Sequence, residues 1–194
     1  MPTREITIEF HQVLKTDGTV HSHQWIVLPA TCAPDLSVED IVARYFTFLR
    51  FCTLGLVNPE SNADGIALRF LGLPLICLCL PVVTRNETAT HADLFINGGF
   101  LVQRDSCSRG QLRFSIISTP EQMWIEIRLS DYCPLLLGSH APSRFRRWLY
   151  HITQASIHKL VTIRFLASLC SDLTGIKPPF NVVKYSLDDV EDDI

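Results

Sequence analysis

Between Gly110 and Ser130 the chain alternates twice. "GQLRFSIIS" and "EQMWIEIRLS" each place apolar residues at every second position, with Thr119 and Pro120 between them. Strand side chains point to opposite faces in turn, so Met123, Ile125, Ile127 and Leu129 share one face and Trp124, Glu126 and Arg128 the other. Two such runs across a short break predict an antiparallel pair with one face on a core and the other near water.

Other segments extend this sheet. Residues 66–130 read as a run of antiparallel strands, with Asn97-Gly98-Gly99 in "HADLFINGGFLVQR" as a tight hairpin turn. Residues 5–28 predict a further hairpin about Asp17-Gly18. Pairing outward from that turn sets Leu14 opposite His21, Phe10 opposite Trp25 and Ile8 opposite Val27. Ile8, Phe10, Trp25 and Val27 then form its apolar half. The most apolar run, "LGLPLICLCLPVV" at 71–83, is shorter than the roughly 20 residues a membrane helix needs and is interrupted by Pro74 and Pro81. A buried strand pair is the better reading.

Two helices are expected. Ser37 and Asp40 form a capping box, Ile41, Tyr45, Phe48 and Cys52 recur at helical spacing, and Gly55 stops the run. "NPESNADG", 58–65, reads as a polar loop. A second, long helix is predicted from about Ser143 to Thr174, stopped by Gly175 with Pro178-Pro179 beyond. At 100° per residue Trp148, Ile152, Ile163 and Leu166 belong to a broad apolar face, and Lys159 falls inside it. Arg147, His151, Gln154 and His158 line the neighbouring stripe. The organisation is one α+β domain over residues 1–175, followed by an acidic, mobile tail over 176–194.

Composition narrows the function classes. Apolar residues make up 47% of the chain and charged residues only 19%, below the roughly 25% of an average soluble protein. A large core, an apolar pocket or a buried interface accounts for that. Net charge is −3, and the tail carries five acids and two lysines, which leaves a neutral body. A nucleic-acid surface needs a basic stripe, so no nucleic-acid partner is expected. Nor is stable membrane insertion. Seven cysteines, and a start that alternates without an apolar signal segment, suggest reduced thiols and a cytoplasmic location.

The C-terminal third, "GQLRFSIISTPEQMWIEIRLSDYCPLLLGSHAPSRFRRWLYHITQASIHKLVTIRFLASL", resembles the START-like, polyketide-cyclase-type superfamily. Two final strands, a Pro-containing connection and a helix with an aromatic start and a central histidine carry the likeness. The front half departs from it: that superfamily usually has one strand and then two helices, whereas a hairpin and one clear helix are read here. The resemblance implies a helix-grip fold, in which a curved antiparallel sheet grips the long C-terminal helix. It also implies an apolar cavity between them for a small hydrophobic molecule. The residues placed to line such a cavity are Trp148, His151, Ile152, Ala155, His158 and Lys159 on the helix, and Phe114, Ile125 and Ile127 on the sheet. A hot-dog-like sheet wrapped around residues 37–55 is the alternative fold, against which the long second helix argues.

The main expectation is therefore a hydrophobic-molecule binding protein. One alternative is a cyclase- or hydrolase-like enzyme using His151 or His158 as a general base. Another is a homodimeric interaction protein. No cofactor is called for. His21 and His23 share a strand face but lack a third ligand at fitting spacing, so no metal is expected. Cys77 and Cys79 read as small core residues. Phosphate-loop, His-Glu-x-x-His and Gly-x-Ser-x-Gly motifs are absent from the sequence.

Overall fold

A computed structural model describes residues 6–15, 19–102, 110–135, 156–176 and 178. Within them the chain is α+β. The strands are β1 (Ile8–Leu14), β2 (Val20–Pro29), β3 (Val57–Asn62), β4 (Gly65–Phe70), β5 (Leu73–Leu78), β6 (Val82–Arg85), β7 (Ala89–Gly98), β8 (Gln111–Ser118) and β9 (Gln122–Tyr132). Two helices accompany them, α1 (Val38–Cys52) and α2 (Ser156–Thr174). The nine strands form one sheet in the order β1-β2-β9-β8-β7-β5-β4-β3, with β6 also paired to β7. Each of these pairings is antiparallel.

The centre is the pair read from alternation. β8 and β9 meet with Ile116 opposite Ile125 and Phe114 opposite Ile127. Met123, Ile125, Ile127 and Leu129 are all buried, with Leu112, Phe114 and Ile116 beside them. Both helices cover this face. From α1, Ile41, Tyr45, Phe46 and Leu49 descend onto it; from α2, Ile163, Phe165, Leu166 and Leu169 do so. The Tyr45 ring joins them, meeting Phe114 at 5.1 Å and Phe165 at 5.2 Å edge-on. Its hydroxyl lies 3.5 Å from that of Thr162, so the buried phenol keeps a polar neighbour.

α1 begins where expected. The Ser37 hydroxyl accepts from the Asp40 N–H at 3.1 Å, and the Asp40 carboxylate accepts in return from the Ser37 N–H at 3.3 Å. The Ser37 hydroxyl, donating to the Asp40 carboxylate at 2.6 Å, and then the Ser37 N–H hold the Asp40 carboxyl below its ordinary value. Ser37→Ala is expected to cost about 1 kcal/mol, read as a shift in urea midpoint at unchanged slope. No measurable shift would show that the box is not holding the helix end.

Several sequence expectations are corrected. The first hairpin is shifted by one residue: Leu14 faces Val20, Phe10 faces Gln24 and Ile8 faces Ile26. A one-residue slip flips every side chain, so Val20, Ser22, Gln24, Ile26 and Leu28 point into the core. Trp25 and Val27 lie on the other face, partly buried. The second neighbour decides the register, because β2 sets Ile26 opposite Ile125 and Leu28 opposite Met123. This buries Gln24, whose amide donates to the Ser22 hydroxyl at 2.6 Å while its oxygen has no hydrogen-bond partner among the described residues. Asn97-Gly98-Gly99 is not a tight hairpin. β7 runs through Asn97, and its pairing with β8 stops at Phe95 opposite Gln111. Gly99 instead runs against β5, where an added Cβ would come within 2.4 Å of the Leu75 carbonyl oxygen. Residues 58–65 are not a loop, since β3 and β4 pair from Val57–Phe70 to Asn62–Gly65. β5 and β6 are strands, as read, but both pair with β7 and only Leu78 among them is buried. Cys133 is disulfide-bonded, with its partner outside the described residues. Cys32, Cys52, Cys77, Cys79 and Cys170 are free. A fully reduced set of cysteines is thus corrected.

Candidate functional site

The edge of β7 is shared. Leu78 of β5 sits opposite Ile96, whereas Val82 of β6 sits opposite Asp93. The chain leaves the edge between them, at Leu80-Pro81, because proline has no N–H to continue the ladder. β3 and β4 continue outward from β5, so the sheet forks, with β6 on one limb and β3–β4 on the other. Gly65 permits the close approach at the fork: its φ is +147°, and a Cβ there would lie 1.9 Å from the Leu78 carbonyl oxygen.

α1 crosses above this fork and leaves a cavity of about 310 Å³. Val42, Ala43 and Phe46 of the helix form one wall. Ile66, Val83 and Ala92 of the sheet, with Pro59 and Pro81, line the rest. Glu39 and Ser61 supply its polar groups. A second cavity of about 300 Å³ lies at the start of α1, among Ser37, Asn86, Thr88, Thr90 and Ser118. Glu39 lines both, and its carboxylate pairs with the Arg85 guanidinium. That ion pair stands at the boundary between the two spaces. Both partners are well exposed, so it contributes at most about 1 kcal/mol to stability.

Of the residues nominated from the sequence, those that the structure describes line neither cavity. Phe114, Ile125 and Ile127 are fully buried in the shared core and line neither cavity. Lys159, on α2, places its ammonium 4.1 Å above the centre of the Phe10 ring, a cation–π contact that leaves the side chain half-buried. Phe10 is opposite Gln24, so Lys159, Gln24, Ser22 and Thr162 are among the polar groups of the α2 side of the core. His158 lies in α2, but its side chain is outside the described residues, as are Trp148, His151, Ile152 and Ala155.

The opposite face of the sheet carries a polar row. In register across the strands lie Trp25, Glu126, Ser115 and His91. The His23 Nε2 is 3.5 Å from the Glu126 carboxylate, and Arg128 approaches it at 3.9 Å. His91 Nδ1 is 2.9 Å from the Ser115 hydroxyl. Arg113 donates two bonds to Asp93, at 2.6 and 2.9 Å. His21 approaches Asp131 at 3.1 Å. Among the described residues no group of three or more His, Cys, Asp or Glu side chains is placed to hold a metal ion. Glu126 thus pairs across to β2, as its alternating position allows, whereas Arg128 approaches Glu126 on its own strand.

This row has a pH signature. Hydrogen bonding from His23, then the charges of His23, Arg128 and His91, hold the Glu126 carboxyl below its ordinary value despite partial burial. A depressed carboxyl contributes stability that is fully present above the ordinary glutamate value and lost as pH falls through its lowered one. Glu126→Gln is therefore expected to lower Tm at neutral pH and to approach the wild type as pH falls below the ordinary glutamate value. A penalty that stays constant across that range would show that the charge of Glu126 is not what matters.

Among the described residues, no helix is long and apolar enough to cross a membrane. No family model matches the chain, and no curated protein matches it. Of solved structures, the solution structure of CalU16 from Micromonospora echinospora aligns with TM-score 0.36 and 9% identity, over 92% of this chain and 80% of that one. The crystal structure of CalU16 gives TM-score 0.31 and 8% identity, over 89% and 92%. Similarity at that level carries no argument about function.

Proposed function

We propose that the protein binds a small apolar molecule in the cavity between α1 and the fork of the sheet. One observation carries this reading: a space of about 310 Å³ whose walls are aliphatic or aromatic apart from Glu39 and Ser61. Ligand pockets commonly fall between about 300 and 1,000 Å³, with mostly apolar walls and a few polar groups that fix orientation. The volume is at the small end, which favours a compact molecule over a long chain. A helix-grip reading of the fold agrees with this placement, since both helices and the cavity share one face of the sheet. It moves the site from the C-terminal helix to α1.

The experiment is a fluorescence titration with 1-aminoanthracene, a compact apolar probe. Saturable binding at one site per chain is the expected result, together with an increase in thermal stability. At a hundredfold excess over Kd, preferential binding to the folded state adds about 2.7 kcal/mol. A probe that neither saturates nor raises Tm would remove the reading.

A further inference from the structure

The cavity at the start of α1 differs from the one beneath the helix in chemistry rather than in size, at about 300 Å³ against about 310 Å³. Its walls carry the hydroxyls of Ser37, Thr88, Thr90 and Ser118 and the carboxamide of Asn86. The space beneath the helix has only Glu39 and Ser61 as polar groups. Glu39 belongs to both, and Arg85, its ion-pair partner, lines the polar space alone. The two spaces therefore meet at one side chain. An exposed ion pair of this kind holds weakly, so a ligand reaching from one space into the other displaces little.

The polar wall is formed in advance. The turn from β6 to β7 is tied down: the Asn86 N–H donates to the Ala89 carbonyl at 2.9 Å, and the Ser118 N–H at the end of β8 donates to the Thr88 carbonyl at 2.8 Å. The Asn86 side-chain oxygen accepts from the Thr88 N–H at 3.1 Å and from the Ala89 N–H at 2.6 Å. Both lone pairs of that oxygen are thereby used. The carboxamide is fixed, and its amino group is left to donate. The Ser37 hydroxyl is taken up by the helix cap. The hydroxyls of Thr88, Thr90 and Ser118 make no hydrogen bond among the described residues, and each can both donate and accept.

We propose that the ligand is an amphiphile, with a compact apolar body beneath α1 and an uncharged, hydroxyl-bearing head in the polar space. This rests on the reading that the space beneath α1 takes an apolar molecule. Adjoining spaces of like volume and opposite polarity match a molecule with two such halves. The ion pair decides the charge of the head. A carboxylate would compete with Glu39 for Arg85 and leave itself facing the Glu39 and Glu87 carboxylates. An ammonium group would compete with Arg85 for Glu39. A hydroxyl-bearing head uses the groups that the ion pair leaves over.

The test is displacement of 1-aminoanthracene from the full chain by phenyl β-D-glucopyranoside, methoxybenzene, phenylacetate and benzylamine, which share one ring. The glucoside is expected to act at a concentration at least about tenfold below the other three, the size of about two net hydrogen bonds. Thr88→Val with Thr90→Val keeps the side-chain shape and suits a strand. It should bring the glucoside within about twofold of methoxybenzene. Should the glucoside do no better than methoxybenzene in the wild type, with the probe bound and displaced by both, the amphiphile is overturned and the apolar cavity stands. Stronger displacement by phenylacetate or benzylamine also overturns it, as does a glucoside advantage that survives the double valine variant. No binding of 1-aminoanthracene at all removes the apolar cavity and the amphiphile together.

Discussion

Gly65→Ala is expected to destabilise the protein by about 3–5 kcal/mol, a large fraction of what a domain of this size has to lose. The new Cβ would sit 1.9 Å from the Leu78 carbonyl oxygen and about 3 Å from the next backbone carbons, at a φ of +147°. No side chain can rotate away, because the obstructing atoms are backbone. β4 must separate from β5, and that junction holds the fork open beneath α1. Gly55→Ala is the control. Its φ of +77° also favours glycine, but nothing lies within 4 Å of the added Cβ, so only the strain of about 1–2 kcal/mol remains. Urea unfolding of both variants separates them. A Gly65→Ala midpoint no lower than that of Gly55→Ala would show that the strands do not approach as described.

The second large effect concerns the cavity. Ala43 lies on the exposed side of α1 and lines the space without contributing to the buried core. Ala43→Phe should fill the volume between Phe46 and the sheet. We expect stability within about 0.5 kcal/mol of the wild type, as for other surface substitutions. Probe binding should fall by at least about a hundredfold, because the ring occupies the space the ligand needs. Loss of the ligand-induced rise in Tm, at unchanged Tm without ligand, is the measurement. A rise equal to that of the wild type would place the binding elsewhere.

Legibility in the sequence followed how many neighbours a segment has. β8 and β9 alternate cleanly because one face is core and the other is not, and the α1 start was readable because a capping box is local chemistry among Ser37 to Asp40. β2 was misread because both of its faces are amphipathic. Trp25 and Val27 looked like the core face, and only pairing with Met123 and Ile125 across β9 reverses that choice. The "NPESNADG" segment failed for a related reason. β3 is an edge strand with a largely exposed face, so polar residues and Pro59 are tolerated where a central strand would exclude them. Asn97-Gly98-Gly99 carries a strong turn signal, but Gly99 is small because it packs against the β5 backbone.

The candidate site was less legible than the fold. Pro81 was visible as an interruption, yet the fork it creates depends on β5 and β6 sharing the edge of β7, a long-range pairing. Val42, Ala43 and Phe46 read only as part of a helix that buries one stripe. The two Leu-Gly turns, with positive φ at Leu54 and Leu71, went unread: Gly55 served only as a helix stop, and Leu71-Gly72 fell inside an apolar strand run.

The central claim is that the hollow under α1 receives a compact apolar molecule. Anomalous diffraction from crystals equilibrated with iodobenzene tests it most directly. The account predicts an iodine peak between Phe46 and Val83, absent from crystals of Ala43→Phe. No peak there at saturating iodobenzene, or a peak instead between α2 and the sheet, would contradict it.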